Sequence, residues 1–308
     1  MRIAIYGAGA IGGLLGGMLA HGGEEVALIV RGENLKAIRQ HGLKMETYKG
    51  DFVVHPAIAT DNPAEVGVVD CVIVGVKAWQ VKDAARAMRP MIGPGTFVVP
   101  GENGVEAPSE LAEVLGWERV LGGFCQLGSL LVGPGHIRSM GSQASFIFNE
   151  MDSRPSQRTE LLRQALVKAG ITPVIAPDIQ AALWEKLMTI SAMGGVGAVT
   201  CSPSNVWRKA TELRRMWEDA MWETLAVARA RGVTIPEKTV RDRVAALDSG
   251  GGGTTSMQRD IMEGKPSELD YQQGTIVRVG KAQGVPTPVN AFIYYSLLPQ
   301  EHKARGQS

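Results

Sequence analysis

Apolar residues in the first half of the chain come in short runs rich in valine and isoleucine, separated by stretches of helical period. Residues 3–6, 26–30, 71–76, 96–99 and 120–123 have the length and branching of buried strands. Between them, residues 11–20, 35–40 and 80–88 predict helices. Strands alternating with helices specify βαβ units and a parallel sheet covered on both faces. Two later runs, 137–139 and 145–148, predict an antiparallel extension of that sheet.

After Pro177 the rhythm is helical almost throughout. The apolar stretch 179–199 carries Glu185 and Lys186 near its centre, so it predicts a buried helix rather than a membrane span. Ser204 is placed to cap one long helix through Arg231, with Val206, Leu213, Trp217, Met221 and Leu225 at helical spacings and Gly232 as its stop. Residues 236–247, 268–283 and 288–298 predict further helices, and Gly250–Gly253 a flexible loop. The expected fold class is therefore α/β: an N-terminal Rossmann-type doubly wound sheet over residues 1–177, followed by an all-α C-terminal domain over residues 178–308.

With 308 residues, two ordinary domains fit. Hydrophobic residues make up 44% and charged residues 20%, and the net charge is only +1. That balance describes a globular protein and gives no bulk electrostatic case for nucleic acid or an anionic membrane surface. Cys71, Cys125 and Cys201 are far apart, and the five histidines lack ligand spacing, so neither a disulfide framework nor a metal site is expected. Cys71 lies in an apolar run that predicts a buried, inert thiol. The chain opens directly on a strand-like run, leaving no room for a signal peptide, which predicts a cytoplasmic protein.

The first chemical motif is Gly7-Ala8-Gly9-Ala10-Ile11-Gly12, a GxGxxG set between an apolar strand and a helix of small residues. Gly7 permits the tight turn, Gly9 lets a pyrophosphate approach the backbone, and Gly12 lets helix and strand close up. The phosphates would rest on the free N–H groups of the helix start. Arg31 is the first residue after the second strand. A guanidinium there matches a ribose 2′-phosphate and points to NADP, with Glu33 two residues on as the competing NAD acid.

Lys186 is the candidate proton donor. Its helical neighbours Ala182, Leu183, Thr189 and Ile190 carry no carboxylate, and desolvation on such a face lowers a lysine pKa toward the range of a general acid. A lysine snorkelling to solvent is the competing reading.

Beyond the glycine motif, the chain contains Val76-Lys77-Ala78-Trp79-Gln80, Glu102-Asn103-Gly104, Trp184-Glu185-Lys186-Leu187 and Thr255-Ser256-Met257, in that order. Glu268-Leu269-Asp270-Tyr271 and Gly284-Val285-Pro286-Thr287-Pro288-Val289-Asn290 complete the set. Together they resemble the landmarks of the ketopantoate reductase family over almost the whole chain. The resemblance implies an NADPH-dependent reductase of a small-molecule 2-oxo acid. The family reaction takes 2-dehydropantoate to pantoate in pantothenate biosynthesis, at a site between the two domains. Lys186 matches the family's catalytic lysine, Glu268 an acid that orients substrate and cofactor, and Ser256 a substrate-binding serine. Asn103 matches an asparagine near the nicotinamide that also borders the substrate, and Lys77 a lysine close to the cofactor. Without the family, Ser256 and Glu268 read as helix N-caps, Asn103 as a turn residue and Lys77 as a strand-end lysine.

Two positions depart from the pattern. The family carries asparagines one and two turns after the lysine, reaching the substrate, where this chain has Ile190 and Gly194. Ser204 stands in register with another family asparagine, beside Asn205. Ile190 cannot bond a hydroxyl, and a buried polar group left without its partner costs about 1–3 kcal/mol. The expectation is a reductase that prefers a more apolar or bulkier 2-oxo acid. A 3-hydroxy acid dehydrogenase and a non-catalytic NADPH-binding redox sensor are the competing readings. Trp207, Trp217 and Trp222 could anchor a homodimer or fill the core.

Overall fold

The computed structural model describes residues 1–307, the side chain of Ser142 excepted. The chain divides into two compact units, Met1–Ile179 and Gln180–Ser308.

The first unit begins with β1 (Arg2–Tyr6), α1 (Ala10–His21), β2 (Glu25–Ile29) and α2 (Gly32–His41). A hairpin of β3 (Leu43–Thr47) and β4 (Gly50–Val54) follows, then β5 (Ile58–Thr60) and β6 (Cys71–Val74). After α3 (Val81–Ala87), β7 (Phe97–Pro100) and α4 (Ala107–Leu115) come two long strands, β8 (Leu121–Gly133) and β9 (His136–Glu150). The unit closes with α5 (Gln157–Lys168) and β10 (Thr172–Ile175).

The principal sheet is parallel, in the order β5-β2-β1-β6-β7. Side chains alternate across it as a strand's period of two requires. Ile3, Ile5, Cys71, Ile73, Phe97 and Val99 enter the core shared with α1, whereas Ala4, Val72, Val74 and Val98 enter the core shared with α3 and α4. Burial on both faces explains why these strands read as continuous apolar runs.

Two expectations are corrected. The fifth strand of this sheet is β5, not residues 120–123; Val120 makes only an isolated bridge to Val98, and the chain from Leu121 enters a second sheet. That second sheet runs β10-β9-β3-β4, with β8 antiparallel to β9. Residues 137–139 and 145–148 are parts of the single strand β9, antiparallel to β8 but parallel to β3 and β10. Helix α1 lies between the sheets: a side chain at Gly16 would strike Leu28 of β2, and one at Gly17 would strike Met45 of β3. The helix that opens the glycine motif is thus held from both sides.

The second unit is helical: α6 (Ile179–Val199), α7 (Ser204–Trp207), α8 (Thr211–Ala230), α9 (Lys238–Ala246) and α10 (Ser256–Met262), then α11 (Thr275–Gln283) and α12 (Pro288–Ala304). Helix α8 packs on α11 and α12. Trp207 and Trp217 are core residues, their ring centroids 6.1 Å apart. The single helix expected from Ser204 to Arg231 is broken. Ser204 donates its N–H to Gly253 O and accepts from Gly253 N–H at Oγ, while Arg208 donates to Leu247 O and Gly250 O. These contacts hold residues 204–210 as a separate turn, and α8 starts after Ala210. The segment expected as a helix over 268–283 opens instead with a π-helical turn, Asp270–Gly274, and is regular only from Thr275. Among the described residues, no helix is long and apolar enough to cross a membrane.

Candidate active site

In the parallel sheet, β1 lies between β2 and β6, so the chain's direction of winding reverses between β1 and β6. Ligands of such sheets bind at the carboxyl edge beside that reversal. The glycine motif leaves β1 there. Gly7 has φ +100°, and its N–H and that of Ala8 both donate to Ile29 O, at 3.1 and 3.0 Å. A Cβ at Gly12 would stand 2.2 Å from Gly7 O, so only glycine lets the helix close on the turn. At Gly9 a Cβ would meet nothing within 4 Å. Gly9 is therefore not required by packing, and its open surround suits a group resting on the amides of Ala10 and Ile11 in the first turn of α1.

The neighbouring strand ends bring the other candidates to the same edge. Gly75 N–H donates to Tyr6 O, and Val76 touches Gly7, which sets Lys77 beside the glycine turn. The Lys77 ammonium lies 5.9 Å from the centroid of the Trp79 ring. After β7, Gly101 N–H donates to Val74 O and to the buried Glu102 carboxylate. Asn103 follows, half-buried, before Gly104 at φ +116°. Arg31 ends the β2 segment as the exposed residue ahead of α2. Its guanidinium lies near Tyr6, whose phenol is pushed up by burial, with Arg31 opposing that shift. Glu33, the competing acid, is bound 2.7 Å from Lys36. The Cys71 thiol is buried and its pKa raised by that burial, as an inert cysteine requires.

In the second unit, Lys186, Ile190 and Gly194 fall at four-residue intervals on one stripe of α6. Lys186 and Ile190 are half-exposed in a helix whose Leu183, Leu187, Met188 and Ala192 are buried. The adjacent Glu185 faces Thr239, whose hydroxyl donates to it at 3.4 Å. Gly194 lies against the start of α10: a Cβ there would stand 2.6 Å from Thr255 Oγ1. Thr255 is the N-cap of that helix, accepting from Gln258 N–H at 3.2 Å. The cap reading of Ser256 is thereby corrected. Ser256 is the first helical residue, and its hydroxyl has no capping duty.

Glu268 is buried rather than capping a solvated helix end. Gln272 Nε2 donates to its Oε2 at 3.4 Å. Its predecessor Ser267 donates both N–H and hydroxyl to Glu301, a buried carboxylate that also pairs with Arg305. This network pins the segment carrying Glu268. Thr255, Gln272 and Gln273 were not among the candidates read from the sequence. Two successive glutamines after an acidic landmark were the available signal, and the contact between Gly194 and Thr255 had none.

The family model described as ketopantoate reductase PanE/ApbA matches residues 3–153, and its C-terminal counterpart matches residues 178–301. The chain belongs to the ketopantoate reductase family. It is an oxidoreductase of that family, whose cofactor is a nicotinamide dinucleotide. The chain is 31% identical to the solved PanE/ApbA family ketopantoate reductase from Ralstonia eutropha JMP134, with a TM-score of 0.91, covering 99% of this chain and 100% of that one. It is 29% identical to a 2-dehydropantoate 2-reductase of Mesorhizobium japonicum, covering 94% of each. An uncharacterized oxidoreductase of Bacillus subtilis, YkpB, is 25% identical over 98% of this chain and 99% of its own length.

Proposed function

We propose that this protein reduces a 2-oxo acid to the 2-hydroxy acid with NADPH, and that Lys186 is the proton donor. The observation that carries the reading is the stripe of α6: a lysine half-exposed among apolar neighbours, in the family's register, with Ser256 free of capping duty at the helix that meets Gly194. The nicotinamide, when bound, supplies the hydride to the carbonyl carbon. As the C=O bond opens, its electron pair collects on oxygen, and Lys186 Nζ gives that oxygen a proton. Glu268 orients the substrate, Ser256 and Asn103 hold its polar groups, and Lys77 lies along the cofactor. Gly7, Ala8, Gly9, Ala10, Ile11 and Gly12 form the pyrophosphate turn. Arg31 favours NADP, supported by its position at the strand end and by the engagement of Glu33 with Lys36.

The substrate is an apolar 2-oxo acid rather than ketopantoate. Ile190 offers no hydrogen bond, and the room beside Gly194 is taken by Thr255, whose hydroxyl oxygen accepts from Gln258 N–H of its own helix. The deciding experiment follows NADPH oxidation by the purified protein across a panel of 2-oxo acids, ketopantoate included, with Lys186→Ala alongside and 3-hydroxy acids tested in the oxidative direction. Turnover of apolar 2-oxo acids that vanishes in the variant is expected. NADPH binding with no turnover in either direction would refute the reading.

A further inference from the structure

Beyond Glu268 the chain does not enter a regular helix. Across the turn Asp270–Gly274, Gly274 N–H reaches back to Leu269 O at 3.0 Å, the five-residue step of a π-turn. Such turns are uncommon and concentrate at functional sites. This one carries Gln272 and Gln273, exposed by only 1% and 0%. Their amides diverge. Gln272 Nε2 donates to Glu268 Oε2, whereas Gln273 Nε2 donates to Ser191 O at 2.6 Å, on α6 five residues past Lys186. Each leaves its Oε1 buried without a partner among the described residues. A buried acceptor so placed is a net cost to folding. A leucine or methionine would fill either site without that penalty, so packing alone does not account for the pair.

We infer that Gln272 and Gln273 are positioning residues that tie Glu268 and the helix of Lys186 to one rigid turn, an assignment that rests on the reductase reading of Lys186 and Glu268. The Gln272 amide fixes the direction of the Glu268 carboxylate. The Gln273 amide fixes the level of α6 against the same turn. Relative placement of two reacting groups is a sensitive quantity, since a shift of about 1 Å can cost as much as 100-fold in rate.

The test is a double-variant cycle on the full-length protein with its best 2-oxo acid. Gln272→Leu keeps the volume and removes the donor. It is expected to lower kcat roughly 10-fold while leaving the Kd for NADPH and the melting temperature unchanged or the latter raised. In a Glu268→Gln background the same change is expected to add less than about twofold, because its effect passes through Glu268. Gln273→Met is expected to lower kcat by a similar factor without weakening NADPH. Should Gln272→Leu not fold, Gln272→Met takes its place in the cycle. Losses that multiply in the double variant, or an unchanged kcat in the single ones, would overturn the assignment even though the wild type turns over. A wild type inactive on every 2-oxo acid would overturn the functional reading, and this assignment with it.

Discussion

Replacing Gly194 by alanine perturbs the close contact between α6 and the start of α10. In open helix the change would stabilise by about 1 kcal/mol, since glycine costs that much in a helix interior. Here the new methyl would stand 2.6 Å from Thr255 Oγ1, while Thr255 Cβ, at 3.5 Å, is in ordinary contact. The hydroxyl must therefore leave, and with it goes the N-cap of α10, worth about 1 kcal/mol. Residual overpacking adds roughly another 1–2 kcal/mol. Gly194→Ala is thus expected to destabilise by about 1–2 kcal/mol. Thr255→Ala alone loses the cap, about 1 kcal/mol. In that background the clash is gone, only the flexible end of Met257 lies near at 3.1 Å, and Gly194→Ala regains its helix-forming benefit. The double variant should then match the wild type, a coupling of about 2–3 kcal/mol. Urea titrations of the four proteins measure it directly. Additivity within about 0.5 kcal/mol, the behaviour of independent sites, would refute the tight contact and the specificity argument built on it.

The glycine motif divides into two experiments. Gly12→Ala is expected to destabilise by at least about 1–3 kcal/mol, because the obstacle is the backbone oxygen of Gly7; Gly9→Ala should leave the melting temperature unchanged and weaken NADPH at least roughly 10-fold in a binding titration. Arg31→Ala is expected to reduce the preference for NADPH over NADH by about 10–100-fold, the value of a charge-assisted phosphate contact, measured as the ratio of kcat/KM values. The Tyr294 hydroxyl is pushed up to about 12, by burial first and then by its bond to Asp270 at 2.7 Å. A raised folded pKa means that this stability is complete below the ordinary tyrosine value near 10 and is lost as pH rises toward 12. Tyr294→Phe should flatten the decline of the denaturation midpoint over that window, and an unchanged slope would refute it.

What could be read in advance follows from the range of the forces involved. Four of the five strands of the principal sheet declare themselves because burial on both faces requires unbroken apolar runs, and GxGxxG because Gly7 and Gly12 answer local steric demands while Gly9 stays open. The hairpin of β3 and β4 escaped notice: Lys44, Glu46 and Asp51 interleave with Leu43, Met45 and Val54, a one-sided pattern over only five residues per strand. β5 is three residues long and joins the sheet by pairing with β2, a partner far off in sequence. The break before α8 is fixed by Arg208 reaching carbonyls about forty residues away, while the local spacing of apolar side chains remains helical. Thr255 and Ser256 are adjacent cap-forming residues, and only the direction of the incoming chain decides which one caps. In the candidate site, residue identities were legible and their contacts were not, since Gly194 against Thr255 and Gln273 against Ser191 bring together segments roughly sixty and eighty residues apart.

Those contacts give Ile190 its significance. Along α6, Gly194, Gly195 and Gly197 each receive a polar side chain from a facing element: Thr255, Gln273 and Gln258 respectively. The amide donors of the two glutamines turn inward. Gln258 Nε2 donates to Gly197 O and Ser202 O, and Gln273 Nε2 to Ser191 O. The amide N–H donors of these glutamines are thus bound to backbone carbonyls of α6 and of Ser202 just beyond it. Ile190 is half-exposed one turn from Lys186, a position from which an asparagine could present a donor beside it. Ile190→Asn is therefore expected to raise kcat/KM for ketopantoate relative to an apolar 2-oxo acid by about 10-fold, one hydrogen bond of roughly 1.4 kcal/mol. Gly194→Asn is expected to fail at the same task, because Thr255 occupies its space. The comparison is a ratio of two substrates on one enzyme preparation, so losses of folded protein cancel. An unchanged ratio in Ile190→Asn, or a gain in Gly194→Asn with Thr255 intact, would show that substrate specificity is set elsewhere.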